Sequence, residues 1–148
     1  MGPNVAELLS NKLLVIPTAA WFIAQLIKVF WTLATERKLS PRVFVRAGGM
    51  PSAHSAVVTA LTVACGKILG VESPVFAMAA ILAAIVMYDA AGVRRAVGVQ
   101  AGILNRIIDE YFESQQVSTK RLGELVGHTP IQVVVGALLG ALTAWFWV

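Results

Sequence analysis

This chain has little of several things that soluble enzymes use freely. Charged residues occupy only 14% of its 148 positions, with eight acidic side chains against twelve basic ones. It holds a single cysteine, Cys65, and two histidines, His54 and His128. One cysteine excludes an intramolecular disulfide, and its place inside an apolar run marks it as a packing residue. The net charge of +4 comes with no nucleic-acid motif. Its basic residues sit beside apolar runs, where anionic lipid headgroups are the natural counterpart. Internal repeats, low-complexity tracts and interdomain linkers are missing, so residues 1–148 read as one domain. The short, acidic N-terminal segment also lacks the basic region that opens a signal peptide.

What the chain has in quantity is uncharged apolar sequence, with a mean hydropathy of +0.75. Leu13 to Ala34 is interrupted only by Gln25 and Lys28, and three further runs cover Ser52 to Val71, Pro74 to Val93 and Pro130 to Val148. Each is near the roughly 20 residues that a membrane-spanning helix requires. The expected fold is therefore all-α: a polytopic bundle of about four transmembrane helices. Linker charge orients it, because Lys and Arg are retained on the cytoplasmic side. Arg37, Lys38, Arg42 and Arg46 lie between the first two runs. Arg94, Arg95, Arg106, Lys120 and Arg121 lie between the last two, whereas the linker at Val71 to Pro74 has only Glu72. Both basic linkers are expected in the cytoplasm, with Trp145 and Trp147 at the outer interface and Trp31 near the inner one. The predicted location is an integral protein of the plasma (inner) membrane.

The long inner linker has its own periodicity. Val99, Ile103, Leu104, Ile107, Ile108, Tyr111 and Phe112 recur at helical spacing opposite Arg106, Asp109, Glu110 and Glu113. This predicts an amphipathic cytoplasmic helix, lying either in the membrane interface or against the bundle. In the last run Gly136 and Gly140 have the GxxxG spacing, which serves close packing within one chain or contact between copies. A homo-oligomer therefore stays open.

The chemistry-bearing residues fall at one end of this arrangement. His54 lies in GGMPSAHSA, Gly48 to Ala56, at the start of the second run, and His128 lies in GHTPIQVVVG, Gly127 to Gly136, just before the fourth. Asp89, Arg94 and Arg95 close the third run, Arg46 precedes the glycine pair, and Lys28 shares a helical face with Gln25. Helix starts and cations together suit a phosphate group and the charge that spreads over its oxygens during transfer. One imidazole is placed to attack phosphorus, and the other to protonate the leaving alkoxide and then activate water. Gly48 and Gly49 permit close backbone approach, Pro51 suits a first helical position, and Thr129 before Pro130 suits a cap.

GGMPSAHSA, YDAAGVRRAVGVQAGILN and GHTPIQVVVGALLG resemble the type 2 phosphatidic-acid phosphatase superfamily, which includes the vanadium haloperoxidases, and in particular its small divergent membrane branch. With the intervening runs, the resemblance covers most of the chain. It implies that His54 is the leaving-group acid, Ser52 a phosphate contact and His128 the nucleophile. Ala53 stands where the superfamily motif has glycine, and Gln132 stands where a carboxylate orients the nucleophile. Its amide oxygen accepts a hydrogen bond but cannot stabilise an imidazolium as an anion does. Leu122 stands where an arginine is expected. Arg94, Arg95, Arg46 and Lys28 are the candidates to replace that cation, and Asp89 and Glu124 to replace the carboxylate. The expected activity is hydrolysis of a lipid phosphate monoester or pyrophosphate at the cytoplasmic leaflet, through a phosphohistidine and with no metal or cofactor. The alternative is a non-catalytic protein that binds or transports a lipid phosphate.

Overall fold

The computed structural model describes residues 4–36, 49–112 and 128–148, and among these all regular structure is helical. A short α1 (Val5–Ser10) leads into α2 (Lys12–Glu36), followed by α3 (Ala53–Leu69), α4 (Pro74–Ala91), α5 (Val93–Phe112) and α6 (Pro130–Trp147). Segments Lys12–Ala34, Pro74–Glu110 and Pro130–Trp147 are each long and apolar enough to cross a membrane. The 17 residues of α3 make a shorter apolar helix, roughly 25 Å long at about 1.5 Å per residue. This is the all-α membrane bundle that the hydropathy implies, and the protein is a membrane protein.

α4 and α6 start where their sequence supplies a cap. The Ser73 hydroxyl accepts from the Phe76 N–H at 3.1 Å and Pro74 opens α4, while the Thr129 hydroxyl accepts from the Gln132 N–H at 3.4 Å and Pro130 opens α6. Proline costs nothing there, because the first N–H groups of a helix have no partner within it. The α3 start departs from expectation. Its cap is Ser52 and its first residue Ala53, so Pro51 precedes the helix instead of opening it. Between α3 and α4 the chain turns at Gly70, whose φ of 88° lies in the left-handed region that glycine tolerates.

The interior of the bundle is made of small residues, and the large apolar ones face outward. Core positions include Ala20, Ala24, Ala53, Ala56, Ala60, Ala64 and Ala144 with Ile16, whereas Phe22, Phe30, Ile85, Leu138 and Phe146 are exposed. Lipid tails are as apolar as leucine, so nothing drives large side chains inward. Helix association relies instead on close backbone contact through small residues. Cys65 is buried among them, as its place in the run implied.

α3 is the central helix, packed on α2, α4 and α6. It runs parallel to α6 and antiparallel to α4, where the Thr62 hydroxyl donates to Ala79 O at 3.1 Å and the Thr59 hydroxyl approaches Met87 Sδ at 4.0 Å. The α3–α6 seam is the tightest. A Cβ at Gly136 would overlap the Ser52 carbonyl, and one at Gly140 would overlap the Ala56 carbonyl. The GxxxG spacing therefore serves packing within the chain. At the far end of the same seam, Lys67 Nζ donates to Trp145 O at 2.8 Å and sits 4.8 Å above the Trp145 ring.

The amphipathic helix is present, but it begins at Val93, only Gly92 separating it from α4. Among the described elements it touches α4 alone. Val99, Ile103, Leu104 and Ile107 are exposed, and the small or polar Ala101 and Asn105 are buried. Periodicity left two placements for the apolar face, and among the described residues that face points away from the bundle.

The α3–α6 seam makes a direct prediction. Gly140→Leu should lower stability by about 1–3 kcal/mol or more, because the added atoms meet backbone that cannot move aside. Ile131→Ala, at a position 69% exposed, should change it by no more than about 0.5 kcal/mol. Thermal unfolding of both variants in detergent measures the difference, and equal midpoints would contradict the packing.

Candidate functional site

The parallel course of α3 and α6 sets both helix starts at one end of the bundle. Ser52 N–H donates to Gln132 O at 3.1 Å, which ties the residue capping α3 to the first turn of α6. His54, the second residue of α3, is exposed. His128, two residues ahead of α6, is buried at 4% exposure, and its backbone N–H donates to Ala90 O at 3.2 Å near the end of α4. The two rings lie 6.3 Å apart between centroids, inclined at 62°. Two histidines 74 positions apart in the sequence thus come together at one end of the bundle.

Lys28 enters from α2. The buried stripe Ile16, Ala20, Ala24, Lys28 repeats every four residues, so the face that packs the core carries the lysine into the site, with Gln25 buried beside it. Gly49 lies against the lysine stem: a Cβ there would sit 3.5 Å from Lys28 Cγ and Cδ. The Gly49 φ of 86° favours glycine as well. Gly49 is thus required by its backbone conformation and not by lack of space, and Gly48 lies outside the described residues.

The His128 ring is held by its own helix. Nδ1 is 3.3 Å from Gln132 Oε1, and the same oxygen accepts from the Thr129 N–H at 3.0 Å. Gln132 thus occupies, in space as in sequence, the position of an orienting carboxylate. Burial holds the imidazole below the ordinary histidine pKa, and the charges of Lys28 and His54 push it the same way. Hydrogen bonding to Gln132 and to the Gly49 backbone opposes them without reversing the direction. The ring is therefore neutral at pH 7, with a lone pair available.

Other expected site residues fall in different places. Ser52 is fully buried, and its hydroxyl accepts from the Ser55 N–H at 3.4 Å and the Ser55 hydroxyl at 3.0 Å, which commits it to capping α3. Asp89 is half-buried, one residue from the Ala90 carbonyl that His128 engages. Among the described residues, Gln132, Lys28, His54 and Gly49 set the His128 charge, and Asp89 is not one of them. Arg95 is exposed in the first turn of α5. Arg46, Leu122, Glu124 and the side chain of Arg94 lie outside the described residues. Sequence reasoning missed the Gly49 backbone contact with the His128 ring and the fixing of Gln132 by Thr129. The second was within reach, since Thr129 and Gln132 have capping-box spacing.

Chemically, the site offers a neutral imidazole fixed at one nitrogen, a second imidazole open to the surroundings and a buried lysine. The chain is 40% identical over 147 residues to "Uncharacterized membrane protein YuiD" of Bacillus subtilis (strain 168), covering 92% of this chain and 93% of that one. No solved structure matches. The model of the Divergent PAP2 family matches residues 9–143, which contain both histidines, Lys28 and Gln132, and the chain belongs to that family.

Proposed function

We propose that the protein is a membrane phosphatase that hydrolyses a lipid phosphate monoester or pyrophosphate at the cytoplasmic leaflet through a phosphohistidine intermediate. The observation that carries this reading is the pairing of His54 and His128 at 6.3 Å with Lys28 buried beside them. The apolar setting of the site favours a lipid over a water-soluble phosphate ester.

In this reading Lys28 attracts the phosphate dianion, and Arg46, Arg94 and Arg95 are the further cationic candidates. The neutral His128 attacks phosphorus while His54 gives its proton to the departing oxygen, so one P–O bond breaks as the P–N bond forms. His54, now neutral, takes a proton from water as that water attacks. The P–N bond then breaks, its electron pair returning to His128, and inorganic phosphate leaves. Ser52 contributes by holding the start of α3, and Asp89 is the carboxylate at the α4 end of the site.

Gln132 favours a second reading, a non-catalytic protein that binds or transports a lipid phosphate, because an amide stabilises an imidazolium less than a carboxylate does. Turnover separates the two. The purified protein should release inorganic phosphate from detergent-solubilised phospholipids without added magnesium, and His128→Ala should lower the rate by roughly 10³-fold or more. Equal release by both proteins would remove His128 as nucleophile. Lipid-phosphate binding without turnover, lost in Lys28→Met, would instead establish the second reading.

The pH profile provides another check. With the His128 pKa lowered, the acid limb of kcat/KM should lie below about pH 6.5, the ordinary histidine value. Folding follows the same sign: the unfolded chain binds the proton more tightly, so stability falls as pH drops through the ordinary histidine range. Gln132→Glu should move the acid limb to higher pH and raise kcat if the missing carboxylate limits turnover. An unmoved limb would mean that residue 132 does not face the ring.

Sidedness follows from the basic linkers. In a Cys65→Ala background, Val71→Cys should react with a membrane-impermeant thiol reagent from outside the cell and Arg42→Cys only after permeabilisation. The reverse pattern would put the site at the outer leaflet.

A further inference from the structure

The apolar face of α5 continues the outer face of α4. Hydrogen bonds keep the four-residue helical step across the junction, the Gly92 N–H donating to Tyr88 O at 2.9 Å and the Ala96 N–H to Gly92 O at 3.0 Å. Side-chain phase is therefore carried from one helix into the next. Met78, Leu82, Ile85 and Tyr88 on α4, then Ala96, Val99, Ile103 and Ile107 on α5, follow one another through Gly92 at steps of three or four residues, and all are exposed. Val93, Val97 and Leu104 widen the α5 part, and Gln100 is the uncharged polar residue within it. The other side of α5 is enclosed: Ala101 and Asn105 are buried, with Gly98 and Ile108 half-buried beside them.

On α4 this stripe meets lipid, yet it runs on past the end of any bilayer. Pro74–Glu110 is 37 residues, about 55 Å of helix, against roughly 30 Å of hydrocarbon. Upright, such a rod would set Ile103 and Ile107 in water. Lying in the interface from Gly92 onward, α5 keeps them in apolar surroundings. Charge along the helix fits the same placement. Residues 93–106 hold Arg94, Arg95 and Arg106 and no acidic residue, whereas Asp109 and Glu110 are confined to the end of the helix. Arg95 and Arg106 are exposed and eleven positions apart, close to three full turns, so they line one edge of the stripe beside Val99.

We propose that α5 is an interfacial helix that binds anionic lipid: its stripe enters the acyl boundary at the cytoplasmic surface, and Arg95 and Arg106 contact headgroup phosphates. The occupant is a lipid surface because the stripe is continuous with a face that already meets lipid, and because the charge bordering it is basic over the residues nearest α4. Glu110, one turn beyond Arg106, is the acidic group on that edge and marks where the attraction ends. This surface is separate from the phosphate chemistry of the two histidines, and its test measures no phosphate release.

Because Cys65 is the only cysteine, a Cys65→Ala background allows one fluorophore per chain. Ile103→Cys, Ile107→Cys and Arg106→Cys are labelled in the full-length protein and placed in nanodiscs of equimolar phosphatidylcholine and phosphatidylglycerol. Labels at 103 and 107 should be quenched by nitroxides on the lipid acyl chains and shielded from aqueous iodide, and the label at 106 should show the reverse. With the nitroxide carried by one lipid at a time, phosphatidylglycerol should quench the label at 103 more strongly than phosphatidylcholine does. Arg106→Gln, chosen because Arg95 is also a candidate for the substrate phosphate, should lower that preference by roughly fivefold, and high salt should lower it too. Quenching of both stripe labels by iodide would put the helix in water and overturn the proposal. Protection from both quenchers would overturn it as well, and disulfide-linked dimers of unlabelled Ile103→Cys would then give the face to a second copy of the chain. Equal quenching by the two lipids, unchanged in Arg106→Gln, would overturn the assignment to anionic headgroups. Should one of the stripe variants fail to fold, the other carries the test.

Discussion

The close approach of α3 and α6 is the constraint on which the rest of the structure depends. Gly136 and Gly140 admit the carbonyls of Ser52 and Ala56 to distances that no side chain would allow, and the helices run parallel from a common end. In water, apolar side chains hold helices together by leaving solvent. Inside lipid that force is missing, and short backbone separations must replace it. The seam also places the candidate site, because it fixes the starts of both helices against each other through the Ser52 to Gln132 hydrogen bond. His54 and His128 are each within a few residues of that bond.

The groups that act on the His128 ring among the described residues are mostly basic. Two imidazoles and the Lys28 ammonium converge, and the group placed against the His128 ring is a neutral amide. An anionic ligand would complete such a pocket by supplying the missing charge. Lys28 is buried at the end of an otherwise alanine-lined stripe, and in the proposed reading a phosphate is the partner that offsets the cost of holding it away from water.

The membrane runs were plain in the sequence because lipid imposes a length and a composition on any helix that crosses it. The α6 start was plain as well, since Thr-Pro states a cap and a first turn in adjacent residues. Pro51 misled because the same local rule applies at two positions: Ser52 is a better cap than proline is a first residue, so the helix begins two residues later than proline alone suggests. The amphipathic pattern located α5 but left its orientation open, since an apolar stripe has the same spacing whether it meets lipid or protein.

By itself the sequence determined which segments are apolar enough to enter the membrane, which residues are candidates for chemistry and at which helix ends they fall, all of them consequences of local pattern. The tertiary structure alone decided that GxxxG joins helices of one chain, that Ser52 is enclosed as a cap while His54 stays open, and that Gln132 meets His128 at Nδ1 with its orientation fixed by Thr129. Those outcomes depend on distances between segments far apart in the chain. Such distances follow from how closely two backbones can approach, a property of paired surfaces that no single stretch of sequence contains.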